Sequence, residues 1–209
     1  MIFRSEEQWL EARRERFTAS EIHKLMGKSR TGSTLPKTAE TYIYEKAACI
    51  LSGMEKETFG RAIDWGKEYE KEAFLKYQNL TFEQTEYFGG EKYMMFPYYD
   101  YAGYSPDGVG IDSKFIVEIK CPFNSANHLL NFNIKNSTDL KSIRPEYYWQ
   151  MQLGMIASHS DFGRFVSYDP RMPDSKKLYI VEIERDDVEE QIKTRLQIAH
   201  VRLNEIIGK

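Results

Sequence analysis

The segment SPDG at residues 105–108, followed by FIVEIKCP at residues 115–122, decides the fold and carries the candidate chemistry. The β-branched and aromatic residues of the second piece predict a strand over Phe115–Lys120, and the Pro-Asp-Gly sequence predicts a turn ahead of it. Successive side chains of a strand point to opposite faces. Glu118 and Lys120 are therefore expected to emerge side by side on one face of a sheet.

Asp107 lies in the turn before this strand, where its carboxylate can fold back toward Glu118. Carboxylate oxygens are ligands that Mg²⁺ prefers, and a lysine beside such an ion can orient or deprotonate a water molecule. The spacing indicates metal-assisted hydrolysis of a phosphodiester, with Lys120 as the catalytic lysine. Taken alone, however, an E-x-K sequence also fits a solvated strand face with a cross-strand ion pair.

Helical patterns precede this segment at residues 6–16, 39–52 and 61–78. In the third pattern, Glu70 shares a face with Phe74 and Tyr77 because these residues recur at steps of three and four. An inward-facing carboxylate is costly unless it has a partner. Glu70 is therefore a further candidate for the acidic site.

The remaining patterns predict one α/β domain spanning residues 1–209, with a sheet of mostly sequential strands and several helices. Strands are expected at 82–88, 98–105, 164–168 and 178–183, and helices at Pro145–Ser158 and over the last twenty residues or so. Asp186 and Glu189 predict a capping box at the start of the last helix.

Composition and charge exclude several classes of protein. A net charge of −3 argues against a protein that coats nucleic acid through bulk positive charge. The two cysteines, Cys49 and Cys121, are too few for a disulfide framework and lack the spacing of a zinc finger. The N-terminal residues are charged, and no stretch approaches 18 apolar residues. We therefore expect a cytoplasmic protein without a membrane partner.

Six motifs, in order along the chain, resemble those of the lambda-exonuclease or YqaJ-like phage recombinase family, within the PD-(D/E)xK nuclease superfamily. They are Trp9 and Arg13 ahead of TASEIH at 18–23, WGKEYE at 65–70, SPDG at 105–108, EIKCPF at 118–123, QMQ at 150–152 and YDPRM at 168–172. Six motifs in family order are more specific than any one of them. The resemblance implies a restriction-endonuclease-like core, which has a central mixed sheet flanked by helices.

The resemblance also implies roles for individual residues of the catalytic centre. Asp107 and Glu118 are expected to bind the metal ions together with the backbone carbonyl of Ile119, and Lys120 is expected to work with the attacking water. The remaining implied members are Glu70, which completes the acidic cluster and is a further candidate ligand, and Gln150, which lies beside the active site.

Arg13, Ser20 and Ser105 are implied to bind the 5′-phosphate of the digested strand. This suits the chemistry, because a guanidinium fork and two hydroxyls can hold a terminal phosphate. Arg30, in the loop at 27–36, is a candidate for another DNA contact, with a solvated loop side chain as the alternative. Residues 13–37 hold seven basic and two acidic residues, which predicts a basic entrance for a DNA end.

The activity implied is that of a Mg²⁺-dependent 5′→3′ exonuclease with two ions, for which Mn²⁺ is a candidate substitute. Such an enzyme processively digests one strand of linear double-stranded DNA to mononucleotides and leaves 3′ single-stranded overhangs for phage-type recombination. The family also implies a homotrimeric ring, a single-strand annealing partner of the Redβ or RecT type, and a phage or prophage gene in a bacterial host.

Two alternatives stay open. A Cas4-like or RecB-like nuclease commonly carries an iron–sulfur cluster, and two distant cysteines cannot supply its usual four thiolates. A DNA-end-binding recombination adaptor with a decayed site has no chemical reason to keep all four of the candidate catalytic side chains, which are Asp107, Glu118, Lys120 and Glu70.

Overall fold

The computed structural model describes residues 1–28, 35–54, 60–90, 92–112 and 114–209. Arg30, the candidate DNA contact of the 27–36 loop, lies outside the described residues. Within those ranges, no helix has both the length and the apolar composition needed to cross a membrane.

Helices and strands follow one another along the chain. The helices are α1 Glu6–Arg14, α2 Lys37–Ser52, α3 Arg61–Thr81, α4 Ser125–Asn131, α5 Ser137–Ile143, α6 Pro145–Ser158 and α7 Glu189–Ile207. The strands are β1 Ile2–Phe3, β2 Phe17–Thr18, β3 Thr85–Tyr87, β4 Tyr93–Met94, β5 Phe96–Tyr98, β6 Ala102–Tyr104, β7 Gly108–Gly110, β8 Phe115–Lys120, β9 Phe162–Tyr168 and β10 Leu178–Glu184. Two 3-10 helices, Ala19–Lys24 and Asp174–Lys176, complete the described elements.

The main sheet has five strands in the order β10-β9-β8-β7-β3. Strands β8 and β9 are parallel, whereas the other neighbours are antiparallel. The predicted mixed sheet is therefore confirmed, with β8 at its centre. A smaller sheet, β2-β6-β5, and the pair β1-β4 lie outside it.

The two faces of β8 are buried in separate hydrophobic clusters. Ile116 packs in the cluster that contains much of α6. Val117 and Ile119 pack in the other cluster, with Phe74 and Tyr77 of α3. The alternation predicted for this strand is confirmed, and it places α6 on the face that carries Glu118.

Several element boundaries differ from the prediction. The strand expected at 82–88 is shorter because α3 extends to Thr81 and is closed by Phe82 in the left-handed region, with φ of 56°. The strand expected at 98–105 is divided between β5 and β6, which pair as a hairpin. The predicted capping box is wrong. Helix α7 is capped by Val188 without a side-chain bond, and Asp186 accepts hydrogen bonds from Ser137 and Tyr148 instead.

Candidate active site

Glu118 occupies the centre of a hydrogen-bonded cluster at the end of β8. Its side chain is buried, and the Nζ of Lys120 donates to its Oε1 at 2.6 Å. The Nε2 of Gln150, on α6, donates to the same oxygen at 2.5 Å. The hydroxyl of Tyr104, at the end of β6, donates to Oε2 at 2.9 Å. One donor from the same strand and two from neighbouring elements thus converge on one carboxylate.

Asp107 reaches the same region from the turn between β6 and β7. Its Oδ2 accepts a hydrogen bond of 2.6 Å from the backbone N–H of Ile119, so the turn folds back onto β8. Burial raises the pKa of Asp107 well above its usual range, and the neighbouring carboxylates of Glu118 and Glu70 raise it further. Asp107 is therefore in the electrostatic field of both other acids.

Glu70 approaches from α3, on the other side of the sheet. The hydroxyl of Tyr87 donates to its Oε1 at 3.0 Å. Burial raises the pKa of Glu70, and Glu118 adds to the effect, while Lys120 opposes it. The inward placement predicted from the helical period is confirmed, and Tyr87 is its partner.

Lys120 is held as an ammonium among these carboxylates. Burial alone would lower its pKa, but Glu118 and Asp107 outweigh burial and the pKa is raised. Its Nζ also lies 5.1 Å from the ring centroid of Tyr147. An ammonium at this position can orient a neighbouring group and stabilise negative charge.

A cleft of about 820 Å³ joins this cluster to the candidate phosphate site. The candidate residues among its lining are Arg13, Ser20, Glu70, Ser105, Asp107, Glu118, Ile119, Lys120 and Gln150. Every site residue predicted from the sequence, apart from Arg30 in the undescribed loop, therefore borders one space.

Ser105 lies at the candidate phosphate site of the cleft, where it connects two hydrogen-bond donors. Its Oγ accepts hydrogen bonds from the indole Nε1 of Trp9 at 2.9 Å and from Nη1 of Arg13 at 3.3 Å. The guanidinium of Arg13 lies 4.5 Å from the ring centroid of Trp9. Ser20 is exposed in the 3-10 helix Ala19–Lys24, with its Oγ 3.3 Å from that of Thr18. Hydroxyl and guanidinium donors thus border the same space as the acids.

A second cleft of about 490 Å³ lies on the other side of Lys120. It shares Glu70, Ile119, Lys120 and Lys67 with the first cleft. Cys121 also lines it, but burial raises the pKa of this thiol to about 12, which suits a structural residue rather than a nucleophile. Of the acids, Glu70 therefore borders both clefts, as does Lys120.

The donor set fits a hard divalent cation. In the described part of the chain, no three His, Cys, Asp or Glu side chains are grouped to hold a metal by themselves. The candidate oxygen donors that line the cleft are the carboxylates of Asp107 and Glu118 and the backbone carbonyl of Ile119, with Glu70 as a further candidate. The Oδ1 of Asp107 accepts no hydrogen bond from the described residues. Burial raises the pKa of this acid and the charge of Glu118 adds to the effect, and a bound cation would oppose both.

Sequence reasoning missed the two tyrosines that contact the acids. Tyr104 directly precedes the SPDG segment, and this adjacency is a sequence signal that could have identified it as a residue of the site. Tyr87 was not identifiable in this way, because it reaches the site through the pairing of β3 with β7, where it lies opposite Gly108. Such cross-strand neighbours depend on sheet register, which the sequence does not display.

Comparison with solved structures shows relatives of the same fold. An alkaline exonuclease, LHK-Exo, from Laribacter hongkongensis is 30% identical, with 97% of this chain and 94% of that chain covered and a TM-score of 0.80. The same protein has also been solved in complex with dAMP. A phage related exonuclease from Haemophilus somnus 129PT is 18% identical over 92% of this chain and 95% of that chain, with a TM-score of 0.76.

These similarities confirm the predicted PD-(D/E)xK fold. The comparison with curated proteins gave no match. The YqaJ-like viral recombinase domain matches residues 8–161, which include the whole acidic cluster, Lys120 and the candidate phosphate site. The chain therefore belongs to the YqaJ-like viral recombinase domain family.

Proposed function

We propose that this protein is a divalent-cation-dependent exonuclease that digests one strand of linear double-stranded DNA from its 5′ end. The observation that carries the proposal is the single cleft that contains both Arg13 and Ser105 and the acid–lysine cluster. A site that holds a terminal phosphate beside a hydrolytic centre favours cleavage next to a strand end. An internal position of a strand has no terminal phosphate and therefore cannot make these contacts.

The relative that is 30% identical supports exonuclease activity in general. The similar protein from Laribacter hongkongensis is an alkaline exonuclease, and its complex contains dAMP, a nucleoside monophosphate. Mononucleotides are the product that we propose for this chain. Removal of one strand leaves 3′ single-stranded overhangs, which suits a role in phage recombination and fits the family match.

The chemistry follows from the residues around Glu118. Asp107, Glu118 and the Ile119 carbonyl would hold Mg²⁺, with two ions proposed and Mn²⁺ as a substitute, and Glu70 would add negative charge beside them. Bound cations polarise the phosphate and lower the pKa of water. Lys120, as an ammonium, orients the attacking water and stabilises charge that develops on the phosphate. Gln150 holds Glu118 through its amide.

The assembly and partners are proposed from family membership. A homotrimeric ring around the DNA would keep the enzyme on its substrate between cleavages, because confinement maintains a high local concentration. A single-strand annealing protein would receive the 3′ overhang. Sedimentation equilibrium at micromolar concentration measures the first point: a mass of three chains is expected, and a strict monomer contradicts the ring.

Digestion of end-labelled duplexes tests the activity. Blunt duplexes that differ only in a 5′-phosphate or 5′-hydroxyl are incubated with Mg²⁺ and, separately, with Ca²⁺. We expect labelled mononucleotides to appear first from 5′-labelled, phosphorylated ends in Mg²⁺. Earlier release from 3′-labelled ends would contradict the proposed 5′→3′ polarity. End binding without cleavage in any divalent cation would support a DNA-end-binding adaptor instead of an enzyme.

Replacement of Lys120 tests the catalytic assignment in the same assay, and a second lysine variant is the matched control. Lys120→Ala removes the ammonium beside Glu118 and is expected to abolish hydrolysis while end binding persists. Lys114→Ala, at an exposed lysine near the start of the same strand, should retain the wild-type rate. Full activity of a purified Lys120→Ala protein would contradict the catalytic assignment.

A further inference from the structure

We infer that Tyr104 is a positioning residue that directs one oxygen of Glu118 toward the bound cation. The inference rests on the proposed function and adds a residue to it. Tyr104 lies in the wall of the cleft and its side chain is buried at 1% exposure. A phenol hydroxyl donates one hydrogen bond to an ionised carboxylate, which can only accept.

The hydrogen bonds of Glu118 determine which oxygen remains open. A carboxylate has about four lone-pair positions, two on each oxygen. Lys120 and Gln150 both donate to Oε1 and therefore use its two positions. Tyr104 uses one position on Oε2. Among the donors of the described residues, these three leave one position open, on Oε2, the oxygen that Tyr104 contacts, so the direction of this lone pair depends on the phenol.

The ring of Tyr104 is fixed against the backbone of α6. A methyl group placed on Gly154 would lie 2.9 Å from two carbon atoms of the Tyr104 ring, closer than real side chains approach. The helix backbone thus packs directly on the ring and prevents it from moving in that direction. Glu118 consequently receives a hydrogen bond from a donor whose own position is set by packing. Partners of this kind around a metal ligand typically change metal affinity or activity by about 10–100-fold when removed.

The variant Tyr104→Phe tests the inference. It removes the hydroxyl and keeps the ring that packs on Gly154. Calorimetric titration with Ca²⁺, without DNA, measures cation affinity apart from catalysis, and the Mg²⁺ concentration for half-maximal hydrolysis is measured in parallel. We expect both constants to rise by about 10-fold and kcat to recover at saturating Mg²⁺.

Tyr148→Phe is the matched control. Tyr148 is also a buried tyrosine that donates to a carboxylate, at 2.7 Å to Asp186, but that acid lies outside the cleft. It should lose comparable stability to urea while keeping the wild-type cation affinity. A cation affinity that is the same in Tyr104→Phe and the wild type overturns the inference.

The outcomes separate this inference from the proposed function. A wild-type protein that neither binds Ca²⁺ nor hydrolyses DNA contradicts the function itself, whatever Tyr104 does. Should Tyr104→Phe not fold, Gly154→Ala carries the test, because its methyl would press on the same ring, and on Ile116 of β8, while the hydroxyl remains. Weaker Ca²⁺ binding by Gly154→Ala supports the inference, and unchanged binding overturns it.

Discussion

At the scale of single residues, Ser105 is a candidate anion-binding hydroxyl. Its Oγ accepts from both Trp9 and Arg13, which leaves the hydroxyl proton available to donate into the cleft. A hydrogen bond to a charged phosphate contributes about 1.5–3 kcal/mol. The side chain is therefore suited to distinguish a phosphorylated end from a hydroxyl end.

Ser105→Ala is predicted to weaken that distinction. We expect kcat/KM on 5′-phosphorylated ends to fall about 10-fold more than on 5′-hydroxyl ends. Competition between the two duplexes in one reaction measures the ratio directly. Ser52→Ala, at the exposed end of α2, is the control and should keep the wild-type preference. An unchanged ratio in Ser105→Ala would remove this residue from the phosphate site.

Residues of the site differ in how far the sequence reveals them. Glu118 and Lys120 follow from the two-residue period of a strand, and Glu70 from the helical period of α3. Their mutual placement depends on contacts between elements, such as the bond from Gln150 to Glu118. Tyr87 illustrates the limit, because it reaches Glu70 only through the pairing of β3 and β7.

At the scale of elements, α6 approaches the central sheet closely because Gly154 has no side chain. A methyl at this position would come within 2.9 Å of Ile116 on β8 and of the Tyr104 ring. Overpacking of this kind typically costs about 1–3 kcal/mol, so Gly154→Ala should lower the free energy of unfolding by that amount. Urea denaturation measures it.

Gly66→Ala is the matched comparison within a helix. Gly66 lies in α3 with nothing within 4 Å of an added methyl. The same substitution there should stabilise by about 0.5–1 kcal/mol, because alanine favours helices over glycine. Equal effects at the two positions would mean that the contact between α6 and the sheet does not restrict Gly154.

The loop after α3 is joined to β9 by a partly buried ion pair. Nε of Arg164 donates to Glu83 at 3.0 Å, and the Tyr77 hydroxyl also donates to this carboxylate. Burial alone would raise the pKa of Glu83, but Arg164 and Tyr77 outweigh it and the pKa is lowered. The pair therefore stabilises the fold above the unfolded-state pKa of about 4.3, and its contribution is lost as the pH falls through the lower folded-state pKa.

Glu83→Gln is predicted to remove about 1–3 kcal/mol at pH 7, because Arg164 loses its main partner. The variant should also unfold with a flatter dependence on pH below about 4.3. Glu182→Gln removes the more exposed partner of the same arginine and should cost at most about 1 kcal/mol. Denaturation curves measured between pH 3 and 7, in steps of about one pH unit, compare the wild type, Glu83→Gln and Glu182→Gln. Parallel curves for the wild type and Glu83→Gln would contradict the assignment.

Among the elements, β8 and α6 begin and end where the sequence predicts, since both have strong patterns and clear flanking signals. Helices α4 and α5 were not predicted. Each has seven residues, too few for a helical period to emerge, and each begins at an asparagine whose side chain accepts from a backbone N–H, Asn124 and Asn136. The Asp186 capping box failed because a tertiary contact with Tyr148 took the carboxylate.

At the scale of the whole molecule, we predict that the acidic cluster makes stability dependent on divalent cations. Burial, followed by the charge of Glu118, raises the pKa of Asp107, which means that ionised carboxylates repel one another in the folded state. A cation that binds only the folded protein stabilises it by about 2.7 kcal/mol at 100 times its Kd. For a chain of this size, that corresponds to a rise in Tm of roughly 5–10 °C.

Thermal melting with Ca²⁺ or with a chelator measures this shift. The wild type should melt higher in Ca²⁺, and Asp107→Asn, which removes one proposed ligand, should lose most of the difference. Equal shifts for the two proteins would place cation binding elsewhere on the molecule.

The position of β8 in the sheet also determines how slowly its backbone amides exchange with solvent. The strand is hydrogen-bonded on both edges, by β7 and β9, and covered on both faces by separate clusters. Its amides can exchange with deuterium only when the whole domain opens, whereas β3, at the edge of the sheet, can exchange through local fluctuations. Mass spectrometry of exchange should find β8 among the slowest segments. Strand β8, which carries Glu118 and Lys120, is then expected to stay rigid. Any motion that turnover requires is expected in the surrounding helices and loops.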